Sequence, residues 1–125
     1  MKPTLEADFA KSHGLGNDYI VVDSARFPVA LTPERVRLLC HRHLGVGSDG
    51  ILEVMASDDR FFVKIWNRDG SEAERSGNGL RIAAKFLAEH GYTRETIFSI
   101  ETVAGPVRTE VFRERGRIRS VRLEM

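Results

Sequence analysis

The sequence predicts an α+β fold, a mixed or antiparallel sheet wrapped around one central helix. Three features point to it. Short β-branched and aromatic runs recur with turn residues between them, only two stretches carry helical periodicity, and the second of these is apolar over most of its circumference. A helix of that kind must be covered on several sides. Runs of strands with only two helices argue against a doubly wound parallel sheet. At 125 residues, 42% hydrophobic and 30% charged, the chain is one ordinary globular domain.

The elements follow in chain order. Residues 8–11 lead into a glycine-punctuated turn, His13-Gly14-Leu15-Gly16-Asn17, and the apolar run 19–22 reads as a buried strand. Residues 27–31 form a loop. Thr32 before Pro33 is a helix start, a hydroxyl N-cap followed by proline at the first helical position, with Glu34 suited to the positive end of the helix dipole. Val36, Leu39, Cys40 and His43 then share a face, and Gly45 is the expected stop. Residues 50–55 and 60–66 read as a hairpin about Ser57-Asp58-Asp59, and Asn67-Arg68-Asp69-Gly70-Ser71 has the composition of a tight turn. The second helix runs from about Asn78 to Glu89 and ends at Gly91. Its polar residues, Arg81, Lys85 and Glu89, fall four apart on one narrow stripe. Residues 96–103, 107–114 and 118–124 close the chain as three strands, with Arg115-Gly116 turning the last hairpin. The last strand ends at Met125, which suggests a cut at a domain boundary.

Charge and cysteine content narrow the function. Lys plus Arg is 19 and Asp plus Glu 18, a net charge of +1, whereas general nucleic-acid binding needs a clustered basic excess. The arginines at 113, 115, 117, 119 and 122 make the final hairpin basic, but without interleaved aromatics they read as a solvated face. One cysteine excludes an internal disulfide and a multi-cysteine zinc site. No apolar run approaches the ~20 residues of a membrane span, and the N-terminus lacks the apolar centre of a signal peptide. A reducing cytoplasm is the expected compartment.

Several motifs have plain structural readings. Gly45-Val46-Gly47-Ser48-Asp49-Gly50 matches the dinucleotide fingerprint G-x-G-x-x-G, but it follows a helix and opens a strand, the reverse of what that site needs. It is expected to be a conformationally demanding loop. Cys40-His41-Arg42-His43 offers metal-ligand types without a second cluster, so Cys40 is expected to be buried and no metal is assigned. The segment 67–81, NRDGSEAERSGNGLR, is the strongest. Ser76-Gly77-Asn78-Gly79 opens the most buried helix, where unpaired N–H groups and positive potential favour a carboxylate or phosphate, and two glycines admit close approach. A simple cap by Ser76 or Asn78 is the competing reading. Asn17 and Asn67 stand at strand ends, where each also suits a turn.

Three segments together, FAKSHGLGNDYIVVD (9–23), LCHRHLGVGSDGI (39–51) and WNRDGSEAERSGNGLRIAAKFL (66–87), resemble diaminopimelate epimerase, a cofactor-independent amino-acid epimerase of bacteria and plants. The resemblance implies two similar α+β halves, each a sheet around a central helix, with one catalytic cysteine from each half at a site between them. Residues 1–125 then look like the N-terminal half alone, with the C-terminal half absent. The implied reaction is LL- to meso-diaminopimelate stereoinversion in lysine and peptidoglycan biosynthesis, by removal of the α-proton from one face and return from the other, without pyridoxal or metal. Asn17 and Asn67 match substrate-contacting asparagines, and Gly77 and Asn78 match the backbone that binds the α-carboxylate.

Ser76 occupies the position of the family's catalytic cysteine. A thiol, with a reference pKa of ~8.5, becomes thiolate readily at a helix N-terminus, whereas a serine hydroxyl cannot form the corresponding base without help. Ser76 is thus an engineered Cys→Ser change, a natural branch acting on another amino acid, or a mark of lost catalysis. Glu74-Arg75 before it, and Gly50 where some members carry Gln, are further departures that favour the natural branch. The expected partners are an amino-acid substrate and either the missing half or a second copy of the chain. Two other readings compete. One is a related racemase or proline-racemase-like dehydratase with serine in one catalytic position. The other is a non-catalytic binding module.

Overall fold

The structure is a computed structural model that describes residues 9–14, 16–74 and 76–124. Parts of the expectations for residues 1–8, Leu15, Arg75 and Met125 lie outside the described residues.

Eight strands and two helices are described. In chain order they are β1 (Phe9–Gly14), β2 (Asn17–Asp23), α1 (Pro33–Cys40), β3 (Gly50–Ser57), β4 (Arg60–Asn67), β5 (Glu72–Ala73), α2 (Gly77–Glu89), β6 (Ile97–Thr102), β7 (Gly105–Glu114) and β8 (Arg117–Glu124). They form one sheet in the order β1-β2-β3-β4-β6-β7-β8, with β5 paired to β4 beside this path. Hairpins make the β1–β2, β3–β4, β6–β7 and β7–β8 pairs antiparallel. The β2–β3 and β4–β6 pairs are parallel, because α1 and α2 carry the chain back across the sheet. The expected mixed α+β sheet is observed.

The two helices occupy opposite faces of the sheet. In β2, Tyr19 and Val21 join Leu52, Val63, Leu80 and Leu87 in the α2 core, while Ile20 and Val22 join Val36, Cys40, Ile51 and Trp66 in the α1 core. A strand buried on both faces has no polar alternation, which is why 19–22 is continuously apolar. Helix α2 touches β1 and β8, the two ends of the strand order, as well as β2, β3, β4 and β7, so the sheet curls around it. Its stripe of Arg81, Lys85 and Glu89 is exposed, and Leu80, Ala83, Ala84 and Leu87 are fully buried. Burying each of the two leucines contributes roughly 1.5–3 kcal/mol.

Two local expectations need correction. Residues 9–14 form a strand, β1, rather than only a lead-in to a turn. Helix α1 ends at Cys40, not near Gly45, because His41 adopts an extended backbone (φ −65°, ψ 126°) and the chain leaves the helix axis. The 45–50 loop is as demanding as expected. Gly47 has φ +83°, and a Cβ on Gly45 would sit 2.0 Å from the Leu38 carbonyl oxygen.

Candidate active site

Strand register brings three separated positions to one place. Tyr19 opposes Gly50 across β2–β3, and Gly50 opposes Asn67 across β3–β4. Side chains alternate along a strand. Asn17 therefore shares the face of Tyr19 and Val21, Gly50 that of Leu52 and Val54, and Asn67 that of Val63 and Ile65, and each of these faces carries the α2 core. Asn17, Gly50 and Asn67 thus stand together at one end of the inner face. The N-terminus of α2 arrives at the same end, because the Tyr19 hydroxyl lies 3.2 Å from Ser76 Oγ.

Ser76 is the N-cap of α2. Its extended backbone (φ −152°, ψ 113°) turns the chain into the helix, and its Oγ accepts from the Gly79 N–H at 3.0 Å. The Leu80 N–H donates to the Ser76 carbonyl at 2.9 Å. Among the described residues, no acceptor takes the N–H of Gly77 or of Asn78. These are the two donors a helix start leaves open after such a cap. Gly79 lets the helix approach β3: a Cβ there would come within 3.1 Å of the Leu52 side chain. At Gly77, among the described residues, a Cβ would meet only the Arg81 guanidinium, at 3.2 Å. Helical side chains lean toward the N-terminus, so Arg81 reaches the first turn from its exposed stripe.

The orientation of Asn67 is set by its own turn. Asp69 Oδ1 accepts the Ser71 hydroxyl and the Ser71 N–H, which hold the Asp69 carboxyl below the usual carboxylate range. Having donated to Asp69, Ser71 Oγ accepts from Asn67 Nδ2 at 2.9 Å. That chain uses the Nδ2 end of the Asn67 amide, and among the described residues no donor is seen on its Oδ1.

Beside the site, Asp18 ties the first two sequence segments together. Its carboxylate receives both Arg42 Nη1 and Nη2 at 3.0 Å and Lys11 Nζ at 3.2 Å. Its backbone N–H donates to Asp49 Oδ2, and its carbonyl accepts the Asp49 N–H. The Arg42 guanidinium, against the cost of burial and with help from Lys11, holds the Asp18 carboxyl far below the usual range. Arg42, read from sequence only as part of a Cys-His cluster, thus anchors the 41–49 loop to the residue next to Asn17. Cys40 is buried as expected, with the Ser48 hydroxyl 3.3 Å from its sulfur, and burial pushes its thiol up. In the basic final hairpin, Arg119 pairs with Glu114, Arg122 with Glu110 and Arg108 with Glu124.

The sequence profile of diaminopimelate epimerase matches residues 9–125. The chain belongs to the diaminopimelate epimerase family. It is 47% identical over 105 residues to "Diaminopimelate epimerase 2" of Nostoc sp., covering 82% of this chain and 37% of that protein. It is 43% identical over 120 residues to the diaminopimelate epimerase of Geobacillus thermodenitrificans, covering 94% of this chain and 41% of that one. The chain thus spans about two fifths of the diaminopimelate epimerases it matches. In fold it is similar to a probable proline racemase from Agrobacterium radiobacter K84 (TM-score 0.76, 20% identity, 94% of this chain and 41% of that one). It is also similar to a hydroxyproline epimerase from Agrobacterium vitis solved with trans-4-hydroxy-L-proline (TM-score 0.74, 18% identity, 94% and 40%). Against this diaminopimelate epimerase background, sequence reading passed over two residues at the α2 mouth. Tyr19 was hidden in an apolar strand, although Asn17 has its parity, and Arg81 was hidden in a solvent stripe.

Proposed function

We propose that this chain is the N-terminal half of a cofactor-independent amino-acid epimerase acting on diaminopimelate, and that the mouth of α2 holds the substrate's α-carboxylate. The observation that carries this reading is the pair of open amides at Gly77 and Asn78, in the family's segment and at the same end of the sheet as Asn17 and Asn67. The carboxylate accepts from those two N–H groups, aided by the positive end of the helix dipole and by the Arg81 guanidinium beside Gly77. A guanidinium parked at a helix N-terminus is electrostatically unfavourable until an anion joins it. Asn67 Oδ1 accepts an N–H of the substrate, and Asn17 contacts it from β2.

With the carboxylate so held, negative charge that develops on it as the α-proton leaves is stabilised by fixed donors. Ser76 stands at the acid–base position. Its hydroxyl cannot act as a thiolate does and needs a neighbour's help to do acid–base work. The opposite face of the α-carbon needs a second acid–base group, supplied by a C-terminal half. Alone, the 125 residues are therefore expected to show negligible turnover. The compartment is the cytoplasm. Among the described residues, no helix is long and apolar enough to cross a membrane.

The test is α-proton exchange in deuterated water, followed by NMR, with the full-length protein and a panel of amino acids. Exchange with diaminopimelate, raised at least about tenfold by Ser76→Cys, is the expected result. Exchange confined to proline-type substrates would favour the racemase or dehydratase reading. Absence of exchange in both proteins would leave a binding module.

A further inference from the structure

We propose that the Tyr19 hydroxyl is the reservoir of the proton that Ser76 delivers to the α-carbon, so that the acid–base unit on this face is a Tyr19–Ser76 pair rather than Ser76 alone. This rests on the epimerase reading above and deepens it at one residue.

Hydrogen-bond accounting at Ser76 Oγ supports the pair. A serine hydroxyl has one hydrogen to give and two lone pairs. The Gly79 N–H takes one lone pair at 3.0 Å. The Tyr19 hydroxyl lies 3.2 Å away, and of the two hydroxyls a phenol is the stronger acid and donor and an alcohol the stronger acceptor. Tyr19 therefore donates to the second lone pair. With both lone pairs occupied, the Ser76 hydrogen is left to point away from the helix and the phenol, toward the mouth where, among the described residues, a Cβ on Gly77 would meet only the Arg81 guanidinium.

Packing holds the phenol in that place. Tyr19 is 8% exposed, with its ring in the α2 core. The ring also lies against Gly50: a Cβ on Gly50 would fall 3.1 Å from Tyr19 Cε1 and 2.4 Å from the Trp66 carbonyl oxygen. The Trp66 carbonyl is the nearer obstacle to a side chain at 50 and the phenol the second, so the glycine there lets the ring lie close against β3.

The proton movements balance with water as the only other reactant. In reprotonation, the Ser76 O–H bond breaks and its proton forms the new Cα–H bond. Ser76 Oγ takes the Tyr19 proton in the same movement, and the resulting tyrosinate regains a proton from water. Deprotonation on this face is the reverse: Tyr19 gives its proton to water, then takes the Ser76 hydroxyl proton as the Cα–H bond breaks and Ser76 Oγ takes the α-proton. Tyr19 acts through Ser76 and does not touch the substrate; it is a positioning residue that also stores the proton.

Four full-length proteins test this: wild type, Tyr19→Phe, Ser76→Cys and the double variant, each assayed for α-proton exchange of diaminopimelate, with thermal unfolding to show that the ring alone still packs. In the wild-type background, Tyr19→Phe is expected to lower kcat about 100-fold while KM stays within about threefold. In the Ser76→Cys background, where the thiolate is its own base, the same change is expected to cost less than about threefold. Equal losses in both backgrounds would make Tyr19 merely structural and overturn the proposal. So would a wild-type enzyme indifferent to Tyr19→Phe, or exchange found only in the proteins that carry Ser76→Cys. Those results leave the epimerase reading standing, whereas no exchange in any of the four removes both.

Discussion

Asp18, beside Asn17, is tied to the 41–49 loop through Arg42 and Asp49, and its carboxylate also pairs with Lys11 of β1. Replacing it by Asn removes the charge from that cluster and is expected to cost about 2 kcal/mol. The pH dependence has a definite sign. A carboxyl whose pKa is depressed on folding contributes stability above its unfolded value, ~3.9, and loses it as pH falls toward the folded value. The difference in unfolding temperature between wild type and Asp18→Asn should therefore be constant above about pH 5 and shrink below about pH 4; a gap independent of pH in acid would remove the charge from the explanation. Cys40 makes a second prediction. Buried, bonded by Ser48 and with its thiol pushed up, it should resist iodoacetamide at about pH 8 in the native protein and react on unfolding. Ser76 makes a third: Ser76→Ala strips the α2 cap and should lower stability by about 1 kcal/mol in a denaturant titration.

Helix α2 joins the two parts of the sheet. The β4–β6 seam is short, pairing only Phe61 with Ile100 and Phe62 with Glu101, so packing of α2 against β1–β4 on one side and β7–β8 on the other does much of the joining. Leu87→Ala should cost about 2–5 kcal/mol by opening a cavity there. Amide exchange should then show β6–β8 losing protection along with β1–β4; protection retained in β6–β8 alone would contradict a shared core. This element was legible in the sequence because its apolar residues cover most of a helical wheel and a hydroxyl precedes its glycines. The three C-terminal strands were legible from their turns. Strand β1 was not, because Lys11, Ser12 and His13 interrupt the alternation that marks a strand, and it forms only against β2. The end of α1 was not legible either. Gly45 is a good stop signal, but the chain must leave the helix at His41 for Arg42 to reach Asp18, a contact across the fold that local propensity does not contain. The same holds for Tyr19 and Ser76, which meet only through strand register and helix placement. Asn17, Asn67, Gly77 and Asn78 are proposed from the family segments, and strand register puts the two asparagines at the end of the sheet that α2 reaches.

On the proposed reading, the 125 residues supply one wall of a site: the inner sheet face, the helix mouth and two asparagines, with the acid–base group for the other side of the α-carbon coming from a C-terminal half. Large apolar side chains stand exposed on the segment 38–46, with Leu44 at 73%, Leu38 at 54% and Val46 at 41% exposure. Such surface favours association, so the isolated 125 residues should elute above monomer size, and a matching C-terminal half added in trans should restore monomeric one-to-one complexes. Whether the start of α2 holds an amino acid's carboxylate is decided by following backbone amides in ¹⁵N-labelled full-length protein titrated with diaminopimelate. The Gly77 and Asn78 amides are expected to move furthest and to saturate together, and the diamine lacking both carboxyl groups is expected to leave them still. Saturable shifts centred elsewhere, with those two amides unmoved, would contradict carboxylate binding at the helix mouth.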